Sequence, residues 1–294
     1  MDILAYAFMQ KALLAGILVG ILCSFVAFFV VLKRLAFAGV GISHSAFGGV
    51  AIGLFFGFNP ILTGGLFATL IALAIGFVSR HGDIQEDTSI GIFFATAMAL
   101  GITVVSLIKG CYVDLFSYLF GNILAVTVRD LWILAGAASI IVFFLSVFFK
   151  ELFFMCFDEE LAAANGIPVN LLYYLLLACI AGTVVITVKV VGIILASALL
   201  VIPAATAYEL TGNFRRMLVI SISMGIISTV GGLGLSYYFN LASGSTIVLL
   251  AGLFFLAALV FSPRRKAWHR AAALLPESKP ENAPEYAEQL RTGS

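Results

Sequence analysis

From residue 11 to residue 32 the chain reads KALLAGILVGILCSFVAFFVVL, and after the opening lysine this run carries no charge. About 20 apolar residues in a row are what a helix needs to cross the hydrocarbon core of a bilayer. Lipid satisfies no backbone N–H or C=O, so a crossing segment must be a helix or belong to a closed barrel. Runs of the same kind recur at 38–57, 61–79, 89–108, 131–149, 171–188, 190–210, 217–238 and 246–262. Composition agrees: 11% of residues are charged, against roughly 25% in a soluble domain. No strand-like alternation dominates, which argues against a barrel. The expected fold class is therefore all-α: a polytopic helical membrane protein with eight to ten transmembrane or re-entrant helices, embedded in a lipid bilayer.

Two places leave the count open. The piece CYVDLFSYLFGNILAV (111–126) starts too polar for a clean span and suits a re-entrant or surface helix. The runs 171–188 and 190–210 are separated only by Lys189, so one of them is expected to be broken or partly re-entrant. The first run lacks a basic leader and a small-residue cleavage site, so it is expected to stay as a span. A nine-span arrangement puts Lys33, Arg34, Arg80, Lys150, Arg215, Arg216 and the Arg264-Arg265-Lys266 cluster on one side. The positive-inside rule makes that side cytoplasmic, with the N-terminus outside and the C-terminus inside. Lys11, Lys109, Arg129 and Lys189 fall on the other side. Two regions follow: a membrane domain over 1–262 and a charged, proline-rich cytoplasmic tail over 263–294, which contains a solvated His269.

Four segments carry chemistry. In the first, Gly41, Ser45, Gly49, Gly53 and Gly57 recur every four residues, a small-residue stripe that lets helices approach closely. His44 borders that stripe and is expected to face a neighbouring helix or a cavity, as ionisable groups within spans do. Neutral imidazole ligates borderline metals, but one histidine is not a metal site, and an inter-helix hydrogen bond remains the other reading. In the second, FDEELAAANGIP (157–168), Asp158 is suited to cap a helix. Glu159 and Glu160 suit its positive end, and Asn165-Gly166 with Pro168 ends it. This reads as a short, rigid helix in a loop, either a plain connector or a docking element. The third is VKVVGIILASALLVIPAATAYEL (188–210), where Pro203 should kink the helix or free a carbonyl, and where Ser197 sits among small residues. In the fourth, Asn240, Ser243 and Gly244 make a turn outside the membrane, beside Tyr237 and Tyr238.

Other chemistries are excluded by what the chain lacks. It has no Gly-Lys pair, hence no phosphate-binding G-x-x-x-x-G-K-[ST] loop, and it does not itself hydrolyse ATP. It has no H-E-x-x-H, no G-x-S-x-G and no paired histidines within the spans. A net charge of +1 without a basic footprint points away from nucleic acid. The four cysteines are scattered and read as small buried hydrophobes. His81, Asp83, Glu86 and Asp87 cluster in RHGDIQEDTS (80–89), a solvated turn whose acids favour the next helix.

Read together, LKRLAFAGVGISHSAFGGVAIG (32–53), DLFSYLFGNIL (114–124), DEELAAANGI (158–167), VKVVGIILASALLVIPAATA (188–207) and SYYFNLASGSTIVL (236–249) resemble the membrane permease of bacterial zinc/manganese/iron-type metal-ion ABC importers. The resemblance implies a non-catalytic permease in the bacterial cytoplasmic membrane. It would pair with a second copy of itself and dock on a dimer of cytoplasmic ATP-binding subunits. An extracytoplasmic metal-binding protein would supply a divalent ion as the transported substrate, with no permanently bound cofactor. It also implies that 158–167 is the ATPase coupling region, with Asp158, Glu159, Glu160, Ala163 and Gly166 as its residues. His44 would be a transient ligand on the metal path, with Ser197, Pro203 and Asn240 as further path candidates. Relatives of this kind place an acid four residues before the histidine, and an aspartate is common at the Asn240 position; here the former is Val40. A carboxylate at i−4 would share a helix face with the histidine, and its loss makes the site more neutral. Three other readings stay open: a permease for a chelated, siderophore- or cobalamin-like metal; an intramembrane cofactor-binding protein; and a secondary transporter, which the scarcity of mid-membrane carboxylates opposes.

Overall fold

The computed structural model describes residues 6–82, 84–108, 121 and 123–262. The segment 109–120, the tail from 263, and Asp83 lie outside these residues, so the expectations for 111–126, for the His81/Asp83 turn and for the tail rest on sequence. The described elements are α1 (Ala7–Leu32), α2 (Ala36–Phe56), α3 (Pro60–His81), α4 (Glu86–Leu107), a 3-10 turn (Ile123–Ala125), α5 (Val128–Val147), α6 (Phe149–Phe157), α7 (Glu159–Ala164), α8 (Val169–Val191), α9 (Ile193–Leu199), α10 (Ile202–Leu210), α11 (Phe214–Phe239) and α12 (Ser243–Phe261). Among the described residues, nine segments are long and apolar enough to cross a membrane, the seventh counted across α9 and α10.

The expected division of charge between two ends is borne out by contacts. At one end Lys33, just after α1, and Arg80, in the last turn of α3, both pair with Glu159. At the other end Lys189, in the last turn of α8, pairs with Asp130 in the first turn of α5. Asp130 also closes a capping box with Thr127, so one carboxylate both starts α5 and ties down the end of α8.

Helices α1, α2 and α8 form the interior, while α3, α4, α5, α11 and α12 turn apolar side chains outward. Leu62 and Leu66 of α3, Ile140 and Phe143 of α5, and Leu249 and Val260 of α12 are exposed. Such a surface suits lipid, which is as apolar as leucine and cannot drive helices together. Close backbone packing does that instead. α1 and α11 cross where a Cβ on Gly225 would lie 2.0 Å from Ser24 Oγ and 2.8 Å from the Gly20 carbonyl.

Two corrections concern helix ends. The boundary between the runs 171–188 and 190–210, drawn at Lys189, falls at Gly192, with φ 84° and ψ 169°, a conformation readily open only to glycine. Lys189 stays helical, as a good helix former, and its ammonium pairs with Asp130. The 190–210 run is the broken one. It divides into α9 and α10 around Leu200 and Val201, with Pro203 in the first turn of α10. Proline has no N–H to offer the Leu199 carbonyl, and its ring opposes a continuous turn. α6 is the second correction, since the sequence was read without it. Its Phe149 and Phe153 stack against Phe28 of α1 at 5.7 and 6.5 Å, and Phe157 meets Phe214 at 4.9 Å.

Cys23, Cys156 and Cys179 are free thiols, two of them buried. Burial pushes the Cys156 thiol up to about 12, so it remains protonated and unreactive.

Candidate functional site

His44 lies in the ninth position of α2, about 12 Å along the axis from the helix start. It is half-buried, and its ring meets Phe94 of α4 edge-on at 5.3 Å. It therefore faces a neighbouring helix, as expected of an ionisable group in a span. Nδ1 lies 2.9 Å from the Val40 carbonyl. A carbonyl only accepts, so Nδ1 carries a proton, and in the neutral ring Nε2 then keeps its lone pair. That tautomer is the one a metal ligand needs, because the fixed N–H orients the ring and leaves the other nitrogen for the ion. Val40 thus acts on His44 through its backbone, whatever its side chain.

The stripe beside His44 is shared between two partners. A Cβ on Gly41 would sit 2.5 Å from Ile90 Cγ2, so Gly41 faces α4. One on Gly49 would sit 2.4 Å from Phe67 Cβ, and one on Gly53 2.1 Å from Thr63 Oγ1, so these face α3. Ser45 is buried and donates to the Gly41 carbonyl at 2.7 Å. Gly57 does not belong to the packed stripe. It lies past the end of α2 with open space around it. α2 is therefore clasped by α3 and α4, and His44 rides inside the clasp.

The other path candidates are placed apart from His44 or already bonded. Ser197 is buried in α9 and donates to the Ile194 carbonyl at 3.0 Å. Pro203 is buried at the helix break, and Leu200 of that break packs against Gly39 of α2, one turn before His44. The break thus brings half-helix ends beside the histidine's helix, with its irregular backbone buried in protein, as a membrane interior requires. Asn240 is exposed at the far end of α11 with φ 53°. Its local role is a left-handed helix cap, a conformation asparagine tolerates. Among the described residues no three His, Cys, Asp or Glu side chains come together. An apolar cavity of about 520 Å³ between α3, α5 and α8, rimmed by Leu62, Leu66 and Ile133, does not include His44.

The second candidate site is α7. Asp158 accepts from the Leu161 N–H at 2.8 Å, as a cap should. At the other end the Ile167 N–H reaches the Ala162 carbonyl and the Gly166 N–H reaches the Ala163 carbonyl, the paired bonds of a Schellman ending. The two glutamates part company. Glu160 and Ala163, three apart on one face, are exposed, whereas Glu159 and Ala162 turn inward. Glu159 meets Lys33 and Arg80, contacts that sequence reading missed because the partners lie 126 and 79 residues away. In the RHGDIQEDTS turn, Glu86 accepts from Tyr173 at 2.9 Å and His81 stacks on Phe77.

Gly166 has φ 81° and nothing within 4 Å of a built Cβ, so its requirement is conformational alone. Gly166→Val is expected to destabilise the ending of α7 by about 1–2 kcal/mol, and Gly166→Asn by clearly less. Amide exchange across 158–167 in the purified protein checks this; equal protection in all three proteins would mean that the glycine ending does not hold the helix.

The ABC 3 transport family model matches residues 5–262, nearly the whole described chain. The chain belongs to the ABC 3 transport family. The resemblance drawn from His44 and its companion motifs to metal-ion ABC importer permeases therefore holds. Within the family, the manganese transport system membrane protein MntC of Halalkalibacterium halodurans is 39% identical over 264 residues, 90% of each chain. A probable iron transport system membrane protein of Haemophilus influenzae is 36% identical over 89% of this chain and 96% of its own. Among solved structures, PsaBC from Streptococcus pneumoniae in complex with Fab aligns with TM-score 0.78 and 38% identity, covering 89% of this chain and 94% of that one. The family places the chain among membrane transport permeases, and the all-helical fold matches that of the Streptococcus structure.

Proposed function

We propose that this chain is the permease of an ATP-driven importer that moves a bare divalent transition-metal ion, manganese ahead of iron, by alternating access. The observation that carries the reading is its near full-length likeness to a permease named for manganese transport. The geometry supports it. His44 presents a lone pair from within a clasped helix; imidazole suits iron, and backbone carbonyls beside it would suit manganese. A divalent ion wants four or more ligands, and one described chain gathers no such set. A second copy, with backbone carbonyls at the α9–α10 break, would complete a transient site. A path site should be incomplete in this way, since tight ligation stalls release.

The exposed face of α7 supports docking of a separate ATPase. Open clefts flank it, one of about 640 Å³ beside Glu160 and Ala163 and one of about 550 Å³ beside Arg34 and Phe157. That end would be cytoplasmic, by the positive-inside rule, in a bacterial inner membrane, with a metal-binding protein delivering from the opposite face. The test is uptake by the permease reconstituted with its ATPase and binding protein in liposomes, supplied with manganese, iron(II) or zinc. ATP-dependent manganese uptake should exceed zinc uptake, although intrinsic affinities run the other way. Uptake of a chelate with no bare-ion uptake would overturn the reading.

A further inference from the structure

We infer that Glu159 is a positioning residue that links the docking helix to the clasp around His44, rather than a contact for the ATPase. The inference rests on the transport reading above and concerns how motion reaches the path. α7 is short and mostly exposed, and Glu159 is its one charged side chain directed into the bundle. Its Oε1 accepts from Lys33 Nζ after α1 and, at 2.9 Å, from Arg80 Nη2 at the end of α3. The Arg80 guanidinium also donates to Asn170 Oδ1 at 2.9 Å, in the first turn of α8. It lies over the Tyr173 ring, 4.1 Å from its centre. The Tyr173 hydroxyl in turn donates to Glu86 Oε1 at 2.9 Å, in the first turn of α4.

Glu159 thus ties α7 directly to the ends of α1 and α3, and through Arg80 and Tyr173 the ties extend to α8 and α4. Two of those, α3 and α4, are the helices that clasp α2 through Gly49, Gly53 and Gly41. The pairs are partly sheltered: Lys33 and Arg80 keep 14% and 19% of their side-chain surface exposed. Ion pairs so placed resist screening better than surface pairs. Arginine's planar fork is what lets one residue bond Glu159 and Asn170 together while stacking on Tyr173. A push on α7 therefore arrives at α3 through Arg80 and at α4 through Tyr173, and both move the helix that carries His44.

Glu159→Gln keeps the volume and removes the charge. In the reconstituted complex we expect assembly with the ATPase to be retained and ATP hydrolysis to stay within about twofold. Manganese taken up per ATP should fall at least threefold. Tyr173→Phe, which cuts only the branch to α4, should lower the same ratio by less. The double variant should be no worse than Glu159→Gln alone, since both act along one chain of contacts. Three results overturn the linkage: an unchanged ratio in Glu159→Gln; loss of assembly, which would make Glu159 a docking contact; or a proportional fall of uptake and hydrolysis with a lowered melting midpoint, which would make it merely structural. If Glu159→Gln cannot be purified, an unchanged ratio in Tyr173→Phe overturns it. Absence of ATP-dependent uptake in the unmodified complex would instead sink the transport reading, and the linkage with it.

Discussion

Gly49→Ala is expected to lower the melting midpoint of the purified protein by roughly 5–10 °C, and Gly49→Leu is expected to prevent folding. The added Cβ would lie 2.4 Å from Phe67 Cβ, 2.6 Å from the Thr63 carbonyl and 2.8 Å from Gly64 Cα. Two of those three atoms are backbone, so no rotamer change relieves the contact; α2 and α3 must separate. Overpacking a tight contact costs about 1–3 kcal/mol, and in a domain of this size ~1 kcal/mol moves the midpoint by about 2–4 °C. The loss is larger in lipid terms than it looks. Separated helices regain no hydrophobic force to close them, because acyl chains fill the gap equally well. Gly136→Ala is the contrast. It is an exposed position of α5 with nothing within 4 Å, and alanine there should be neutral or stabilise by up to about 1 kcal/mol. Size-exclusion profiles after a heating series compare the three proteins directly. Equal midpoints for Gly49→Ala and Gly136→Ala would show that the α2–α3 contact is not as close as described.

The difference between those two glycines marks how far sequence carries. The nine candidate crossings among the described residues were legible because length and apolarity are demanded by the bilayer itself. α7 was legible almost to the residue because each of its signals is local. Asp158 reaches the N–H of Leu161, three residues on, and Gly166 ends the helix by its own backbone conformation. The stripe Gly41–Gly53 announced close packing but not its division between α3 and α4. A period of four residues does not say how many neighbours a helix has. Gly57 fitted the period and packs against nothing.

What stayed hidden was tertiary. Glu159 looked like Glu160, two acids in the first turn of a helix, and only the folded chain turns one toward Lys33 and Arg80. The boundary between the runs 171–188 and 190–210 was drawn at Lys189, but lysine is a good helix residue and glycine is not; the helix ends at Gly192. α6 was missed because ELFFMCF offers no cap and continues an apolar run. It becomes a separate helix where Phe149 and Phe153 pack onto Phe28. His44 is intermediate. Its position near the stripe foretold a neighbouring helix, while the identity of that neighbour, Phe94, and the tautomer fixed by Val40 required coordinates.

Substitution at His44 should separate ligand from scaffold. His44→Ala is expected to cut ATP-dependent manganese uptake by about tenfold or more, since even residues that only orient a ligand cost about 10–100-fold. The melting midpoint should move little, because the ring is half-buried and its described partners are the edge of Phe94 and a carbonyl of its own helix. His44→Gln offers a weaker neutral donor and should retain part of the rate. Val40→Asp runs the other way. It puts a carboxylate one turn before the histidine, on the same face. It leaves the Val40 carbonyl in place, so Nδ1 stays engaged and Nε2 stays available. A second, charged ligand should tighten the site: uptake at low manganese should rise, and the maximal rate should fall as release slows. Initial rates over a manganese series, at matched expression, read both effects. Wild-type rates in His44→Ala would remove the histidine from the path. A Val40→Asp curve that rises at every concentration would show that release does not limit transport.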